Sequence, residues 1–286
     1  MLIDCLNVSQ TLSARWTAIR LVAFLSVFAA TALCEAVAPR RQRSYSRMTR
    51  WPSNFAIAAI NALAVRIVEP AMVVASALLE RQWGWGFIND LRLPAWATIV
   101  LSIVLLDLAI YLQHVMFHAI PALWRVHRMH HADLDFDTST GVRFHPVEAI
   151  LSMLIKLSAV AVLGAPAMAV LIFAVLLNAS SMFNHGNLRM PVMLDRYLRW
   201  LLVTPDMHRV HHSILPAEAN SNFGFNLPWW DRLFGTYRGQ PGSGHESMII
   251  GIEQFRHERE LWLPRMLVQP LRGPVGAYAI AGEKAA

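Results

Sequence analysis

Charged residues are scarce in this chain. They make up 15% of its 286 residues, whereas about 25% is typical of a soluble domain. Hydrophobic residues make up 55% of the chain, and the mean hydropathy is +0.39. This composition argues against an ordinary soluble domain and predicts an integral membrane protein.

Lysine is nearly absent. The chain contains two Lys and 23 Arg, and its net charge is +6. The arginines lie mostly between apolar segments and do not line one polar face, so a nucleic-acid-binding role has no support. The loops of a membrane protein explain them better. The preference for Arg over Lys and the abundance of Ala indicate a GC-rich bacterial genome, and hence an inner-membrane location.

Cysteine is also scarce. Cys5 and Cys34 have no ligand spacing and form no disulfide framework, so both are expected to be free thiols. The chain also lacks a glycine-rich dinucleotide fingerprint and the clustered cysteines of an iron–sulfur centre. Any redox chemistry would therefore need electrons from another protein.

Long apolar runs predict the fold class, an all-α integral membrane bundle of about three spans plus a helical hairpin, with a cytoplasmic His-rich metal-binding cap. The spans are predicted at about 14–38, 54–79 and 94–113, and the hairpin at 147–185 with a turn at 164–166. We expect an N-terminal segment (1–13), one membrane domain (14–270) with its histidine core at about 94–237, and a C-terminal tail (271–286).

The orientation follows from the densest basic stretch, which lies between the first two spans and contains Arg40, Arg41, Arg43, Arg47 and Arg50. The positive-inside rule makes this loop cytoplasmic. Counting spans from it places all the clustered histidines on the cytoplasmic side.

Other features concern the membrane. Arg66 and Glu69 in the second span are expected to pair, and Trp83 and Trp85 are expected to be interfacial aromatics on the outer side. The mixed apolar and charged stretch Leu194–Val203 is typical of a helix that lies in the interface.

Histidine carries the strongest signal. Three short motifs, HVMFH, HRMHH and HRVHH, hold eight of the twelve histidines. Residues at i, i+3 and i+4 share one helix face, so each motif projects two or three imidazoles together, and neutral imidazole is the commonest protein ligand for transition metals. With one more histidine on the same side, the predicted ligands are His114, His118, His127, His130, His131, His185, His208, His211 and His212.

Nine histidines are enough for two metals, and nitrogen ligands suit iron, zinc or copper. Oxygen activation on a lipid favours iron, because iron changes redox state and binds O₂. Two other functions are considered: a membrane electron carrier with bis-histidine haem, and a metal transporter or sensor. Both would spread ligands through the bilayer or along a path near its midplane, whereas these motifs flank the spans at one end.

The three motifs resemble the eight-histidine pattern of the membrane fatty acid hydroxylase and sterol desaturase superfamily, and the chain looks like a bacterial sterol desaturase family protein. The strings STGVRFHPVE, NHGNLRMP, TPDMHRVHHS and SNFGFNLPWWDRLFGTYR agree with it. The resemblance covers about residues 14–260. It implies a membrane non-haem di-iron oxygenase that uses O₂ and two electrons to hydroxylate or desaturate a lipid C–H bond, with the nine histidines as ligands. Purified protein could carry zinc in place of iron.

The resemblance leaves the tenth ligand open. Some members have a second histidine four residues after the one that His185 matches, and here that position is Arg189. Asn184, Asn187, a bridging water and His145 are the candidates, and His145 could equally act behind the ligands. His245 and His257 are expected to be ordinary surface histidines.

A carboxylate is expected to orient a ligating imidazole. Asp206 is the first choice, and the others available are Asp107, Asp133, Asp135, Asp137 and Glu148.

The lipid substrate is expected to come from the bilayer, through a groove between the spans. Four aromatic residues could form a lid over the site or anchor the chain in the interface: Trp200, Trp229, Trp230 and Phe234. A separate cytoplasmic electron donor, a ferredoxin or a b-type cytochrome, is expected to dock on the basic inner face.

Overall fold

The computed structural model describes the backbone of residues 2–83 and 86–280, and the side chains of residues 16–67 and 86–280. Within these ranges the chain is all-α and forms no β-strand. Its helices are α1 (Leu2–Val37), α2 (Arg47–Trp83), α3 (Ala95–Ala119), α4 (Pro121–His131), α5 (Pro146–Leu163), α6 (Ala167–Asn184), α7 (Val192–Leu198), α8 (Pro205–His211), α9 (Pro216–Ala219), α10 (Trp229–Leu233), α11 (Gly244–Ser247) and α12 (Leu263–Val268).

Four of these helices are long and apolar enough to cross a bilayer, counting only the described residues: Trp16–Val37 in α1, α3, α5 and α6. The predicted first span, third span and hairpin are therefore confirmed as helices. Helix α2 contains the predicted second span, but its side chains beyond residue 67 lie outside the described part. The expected pair Arg66–Glu69 and the aromatics Trp83 and Trp85 depend on those undescribed residues.

Local sequence explains where the helices of the hairpin and of the histidine motifs begin and end. Proline occupies the first turn of α4, α5 and α8, where it has no helical hydrogen bond to lose. Thr204 caps α8 by accepting a hydrogen bond from the Met207 amide. Gly164 ends α5 with φ of 66°, a left-handed conformation that favours glycine, and so allows the tight turn into α6.

One end of the bundle gathers the histidines. There α1, α3 and α6 end while α2 and α5 begin, as shown by contacts of Glu35 and Arg50 with residues 133–140 and of His127 with Glu148. We call this end the histidine pole.

A buried ionic network holds the segment after α4 against the first two helices. The Arg50 guanidinium donates to both oxygens of Asp133 at 2.8 Å and to Asp137 at 2.7 Å, and all three side chains are fully buried. Glu35 accepts hydrogen bonds from the amides of Thr138 and Asn187, so α1 joins the same network. Burial disfavours the ionised Asp133, but Arg50 and Arg143 outweigh it and lower its pKa to about 2.

The C-terminal segment folds back on α4. The Arg128 guanidinium donates to the carbonyls of Gln269, Arg272 and Pro274, and the Trp124 indole donates to Val275 at 3.2 Å. Tyr278 is fully buried. Residues 272–278, which lie within the predicted C-terminal tail, thus pack against the helix that carries His127, His130 and His131.

Replacing Arg50 by Met should strongly destabilise the protein, because Asp133 and Asp137 would remain buried without their cation. Breaking a buried ion pair in this way costs about 3–5 kcal/mol. Thermal unfolding in mild detergent, followed by circular dichroism, should show a clear fall in Tm. Arg189→Met, which removes an exposed partner of Glu246, is the matched control and should change Tm little. Equal Tm values for the two variants would contradict the structural role of Arg50.

Candidate metal centre

The nine predicted ligands all meet at the histidine pole. Helix α3 supplies two of them near its C-terminal end, α4 supplies three in its last turns, and α6 supplies one at its C-terminal cap. The third motif, on α8 and the residue after it, supplies the other three. Every one of these side chains is buried.

The imidazoles divide into two groups whose candidate ligand atoms lie within 4.8 Å of one another. Site A contains His114, His118, His127, His131 and His211, and site B contains His130, His185, His208 and His212. The two sites adjoin, since the rings of His131 and His212 stack with centroids 4.5 Å apart.

The two HRxHH motifs serve the sites in opposite ways. The first gives its i, i+4 pair, His127 and His131, to site A and the intervening His130 to site B. The second gives its i, i+4 pair, His208 and His212, to site B and His211 to site A. This exchange interlocks α4 with α8, so neither site can form without both helices.

The hydrogen bonds at Nδ1 fix the protonation of the rings. In His114, His130, His185 and His211 this atom faces a backbone carbonyl oxygen at 2.6–3.1 Å. A carbonyl oxygen can only accept, so Nδ1 carries the proton and Nε2 carries the lone pair. His127 is held in the same way by the Glu148 carboxylate, with Nδ1 2.7 Å from Oε1.

The resulting lone pairs face each other at close range. The Nε2 atoms of His130 and His185 are 3.1 Å apart, and those of His114 and His127 are 3.2 Å apart. Two lone pairs at this distance repel each other unless a cation lies between or beside them. The donor set therefore fits transition-metal ions, which accept several neutral imidazole lone pairs.

Burial favours the neutral form of His130, His185, His208 and His212. It lowers the pKa of His130, His208 and His212 well below the ordinary value, and neighbouring imidazoles lower it further. The same cause lowers the pKa of His185 to about 4. Neutral rings at physiological pH are the form that binds metals.

Of the six carboxylates considered, only Glu148 bonds a clustered imidazole among the described residues. Asp206, the first choice, instead pairs with Arg209 and with Arg40 at 3.2 Å. The expectation for Asp206 is wrong, because Arg209 lies one helical turn from Asp206 and binds its carboxylate. A lone glutamate in the first turn of an apolar span was the signal that could have identified Glu148.

The other four carboxylates serve the fold. Asp133 and Asp137 bind Arg50, Asp135 accepts from the amides of Ser44 and Tyr45, and Asp107 accepts from the segment 226–230.

The candidates for a tenth ligand lie in different surroundings. His145 caps α5, and both of its ring nitrogens are hydrogen-bonded, to Val147 and Leu267. Both amide atoms of Asn187 are bonded to the backbone of Arg41. Arg189 is exposed beside Glu246, since α6 has ended at Asn184 and the i+4 relation to His185 is lost. Asn184 differs, because its side-chain oxygen is buried and has no hydrogen-bond partner.

Two further expectations concern isolated histidines. His257 is exposed, as expected. His245 is buried, contrary to the surface position expected of it, and its Nε2 lies 3.6 Å from Asp206. Burial lowers the pKa of His245 to about 4. Neither residue joins site A or site B.

Known proteins share this region of the chain. Residues 99–236 match the sequence model of the fatty acid hydroxylase family. Ornithine lipid hydroxylase OlsE from Rhizobium tropici is 29% identical over 186 residues, which cover 65% of this chain and 52% of that protein. Alkylglycerol monooxygenase from Danio rerio is 30% identical over 189 residues, which cover 65% of this chain and 40% of that protein.

A more distant similarity is to cholesterol 25-hydroxylase from Rattus norvegicus, 26% identical over 165 residues, 54% of this chain and 53% of that protein. The chain therefore spans about half or less of the length of these relatives. No solved structure matches it. The matched segment contains all nine clustered histidines, and over residues 99–236 this chain is similar to the fatty acid hydroxylase family.

Proposed function

We propose that the protein is a membrane-bound non-haem di-iron oxygenase that hydroxylates or desaturates a C–H bond of a lipid. The observation that carries this proposal is the pair of adjoining, all-histidine sites with converging lone pairs at the end of a bundle of apolar helices. Hydroxylation would consume one O₂, two electrons and two protons, and would yield the alcohol and water.

The ligand chemistry favours iron. Nitrogen-rich sites accept iron, copper or zinc, and zinc has no redox chemistry. Two bound iron ions would supply the electron transfer that O₂ activation requires. Five histidines at site A and four at site B would hold them. Zinc in a purified sample would be a substitute that leaves the ligand set unchanged.

The protein's own residues would prepare the site in two ways. Five of the nine rings have a carbonyl or carboxylate partner at Nδ1, which aims their Nε2 atoms inward before any metal binds and lowers the cost of ordering the ligands. Burial of every clustered imidazole excludes bulk water. A dry site protects reactive species from side reactions with solvent.

Site B has one histidine fewer than site A, and we assign its remaining position to Asn184. This residue directly precedes His185, and its amide nitrogen donates to the Phe225 carbonyl at 2.6 Å. The amide oxygen is left buried without a partner. That oxygen could bind the metal directly or hold a water on it.

The substrate would be a lipid taken directly from the bilayer. The names of the relatives include an ornithine lipid, an alkylglycerol and cholesterol, so the shared feature is an amphiphile with a long or bulky hydrocarbon part. Apolar residues of α3, α5 and α6 pack together below the histidine pole, around Leu106, Ile110 and Phe173. A hydrocarbon chain beside these helices would lie next to the centre.

Electrons would come from a separate carrier, a ferredoxin or a b-type cytochrome, since these 286 residues hold neither a glycine-rich dinucleotide fingerprint nor clustered cysteines. The basic loop at 40–50 adjoins the histidine pole, and Arg40 contacts Asp206 of α8. An acidic carrier docking there would approach the centre closely. The same basic loop supports a cytoplasmic location for the pole, because the positive-inside rule puts arginine-rich loops on that side.

Product analysis tests the activity. The gene would be expressed with a ferredoxin and its reductase, and membrane lipids would be compared with those of a strain carrying His130→Ala/His211→Ala. We expect lipids that gain one oxygen atom, labelled when cells grow under ¹⁸O₂, or lipids that lose two hydrogens. No difference between the two strains, with iron bound in the parent protein, would contradict the lipid oxygenase.

The two-site arrangement predicts stepwise loss of iron. Protein purified from ⁵⁷Fe-fed cells should hold about two irons per chain, as two-metal sites do. His211→Ala at site A and His208→Ala at site B should each retain about one iron. The double variant His208→Ala/His211→Ala should retain almost none. Mössbauer spectra and metal analysis measure both content and site.

The control for iron loss is His257→Ala, an exposed histidine outside both sites, which should keep the full iron content. Retention of both irons in the double variant, or a haem absorption band in the parent protein, would refute the assignment.

Glu148→Gln should weaken metal binding at site A. The substitution keeps the size of the side chain but removes the charge that holds His127 Nδ1–H, and loss of such a partner typically lowers metal affinity about 10- to 100-fold. Chelator competition, followed by metal analysis, measures this affinity. Glu246→Gln, the same change at an exposed position, should leave the affinity unaltered. Equal affinities for the two variants would show that Glu148 does not position the ligand.

A further inference from the structure

A large apolar surface is exposed beside α3. It consists of residues 192–202 and 229–234, which we call the apolar platform. Its exposed hydrophobic side chains are Val192, Met193, Leu194, Tyr197, Trp200, Leu201, Leu202, Trp229, Leu233 and Phe234. Soluble monomers rarely expose contiguous apolar surface on this scale, so it has a partner.

The two segments form one surface. The Trp229 indole donates to the Trp200 carbonyl at 2.7 Å. The Arg232 guanidinium lies 3.9 Å from the Trp200 ring centroid and 4.0 Å from that of Tyr237, and it donates to the Arg199 carbonyl. The platform is thus a single rigid face whose aromatic rings cover the charge of Arg232.

A hydrogen bond to α3 fixes the depth of the platform. The Trp230 indole donates to the Asp107 carboxylate at 2.9 Å, and Phe234 stacks on Tyr111 with ring centroids 5.4 Å apart. Asp107 lies about 10 Å along the helix axis from His114 and about 18 Å from the start of α3 at Ala95, at 1.5 Å per residue. A hydrocarbon core of about 30 Å that begins at Ala95 extends well past Asp107.

Backbone amides near the platform have hydrogen-bond acceptors inside the protein, as a low-dielectric environment requires. Asp107 accepts from the amides of Asn226 and Leu227, and Asp231 accepts from those of Phe223 and Gly224 at 2.7 and 2.8 Å. Irregular backbone at membrane depth needs such internal acceptors because water is absent there. Both carboxylates are buried.

The charges of the platform are arranged for the same environment. Asp195 and Arg199 are buried and pair with each other. Among the described side chains of the platform, Arg196 is the one charged residue that is exposed. A long arginine side chain can extend to lipid phosphates while its stem stays among apolar groups.

We propose that the apolar platform is inserted into the bilayer leaflet next to the histidine pole, with its apolar side chains among the lipid acyl chains. Helix α3 exposes Leu112 next to Tyr111, on which the platform residue Phe234 stacks. The platform is also close to the centre, because Asp231 holds Phe223, whose carbonyl accepts the His114 Nδ1–H. A lipid in that leaflet would therefore lie beside the helix that carries His114. This placement does not depend on the metal or on the proposed activity.

Spin-label depth measurement tests the placement. The two cysteines of the chain would be removed as Cys5→Ser/Cys34→Ser, and one site at a time would be labelled through Leu201→Cys or Leu233→Cys. These side chains are 62% and 69% exposed, so labels should not disturb the packing. The control is Ile249→Cys, 53% exposed on the segment that pairs with the residues following His212. Full-length protein would be studied in phosphatidylethanolamine–phosphatidylglycerol vesicles, after circular dichroism has shown that helix content is unchanged.

Collision rates with O₂, which concentrates in the bilayer, and with water-soluble nickel ethylenediaminediacetate give the result. We expect labels at 201 and 233 to meet O₂ readily and the nickel complex rarely, with the ratio of the two rates several-fold higher than at 249. Nickel accessibility at 201 and 233 equal to that at 249 would place the platform in water and overturn the proposal. Low accessibility to both reagents would mean that protein covers the surface, and would overturn it equally.

Discussion

Nine buried imidazoles converge at one end of the bundle, and the rest of the structure depends on holding them there. Nε2 atoms 3.1–3.2 Å apart repel each other in the absence of a cation. Packing alone does not oppose that repulsion, because a ring can rotate away. Acceptors at Nδ1 oppose it, since each fixes both the proton and the ring plane. Four of these acceptors are backbone carbonyls, so the positions of the ligands follow from the course of the chain around them.

Buried ion pairs fix the path of the chain around the histidines. The segment between α4 and α5 carries Arg143, whose carbonyl holds His130, and the segment is anchored by Asp133 and Asp137 on Arg50. A buried carboxylate without such a partner would cost several kcal/mol, on the order of the penalty for an unpaired buried ion. The cation comes from α2 and the anions from the segment after α4, so the network closes only when the first spans have packed. Assembly of the bundle and formation of the centre are thereby coupled.

The motif spacing was enough to group eight of the nine histidines, because residues at i, i+3 and i+4 must share a helix face. His185 lies outside the motifs, and only its place at the end of the hairpin and the family resemblance pointed to it. It could not show that the two HRxHH motifs serve the sites in opposite ways, since that depends on how α4 crosses α8. Proximity in sequence also misled the choice of carboxylate. Asp206 is two residues from His208 but turns to Arg209, whereas Glu148 reaches His127 across 21 residues. His245 is buried by tertiary contacts of which its own segment gives no sign.

The low-dielectric environment of the bilayer explains both why the sequence has few charged residues and why the centre is surrounded by buried carboxylates. Of the fifteen acidic residues whose side chains the structure describes, ten are buried, where most accept hydrogen bonds from guanidinium groups and peptide amides. Much of the chain at the histidine pole and beside α3 is irregular, and in a low-dielectric environment each free amide there needs an internal acceptor. Carboxylates provide two strong acceptors each, as Asp107 and Asp231 do beside α3. A protein whose centre lies close to the bilayer can therefore be poor in surface charge and still require many acidic residues inside.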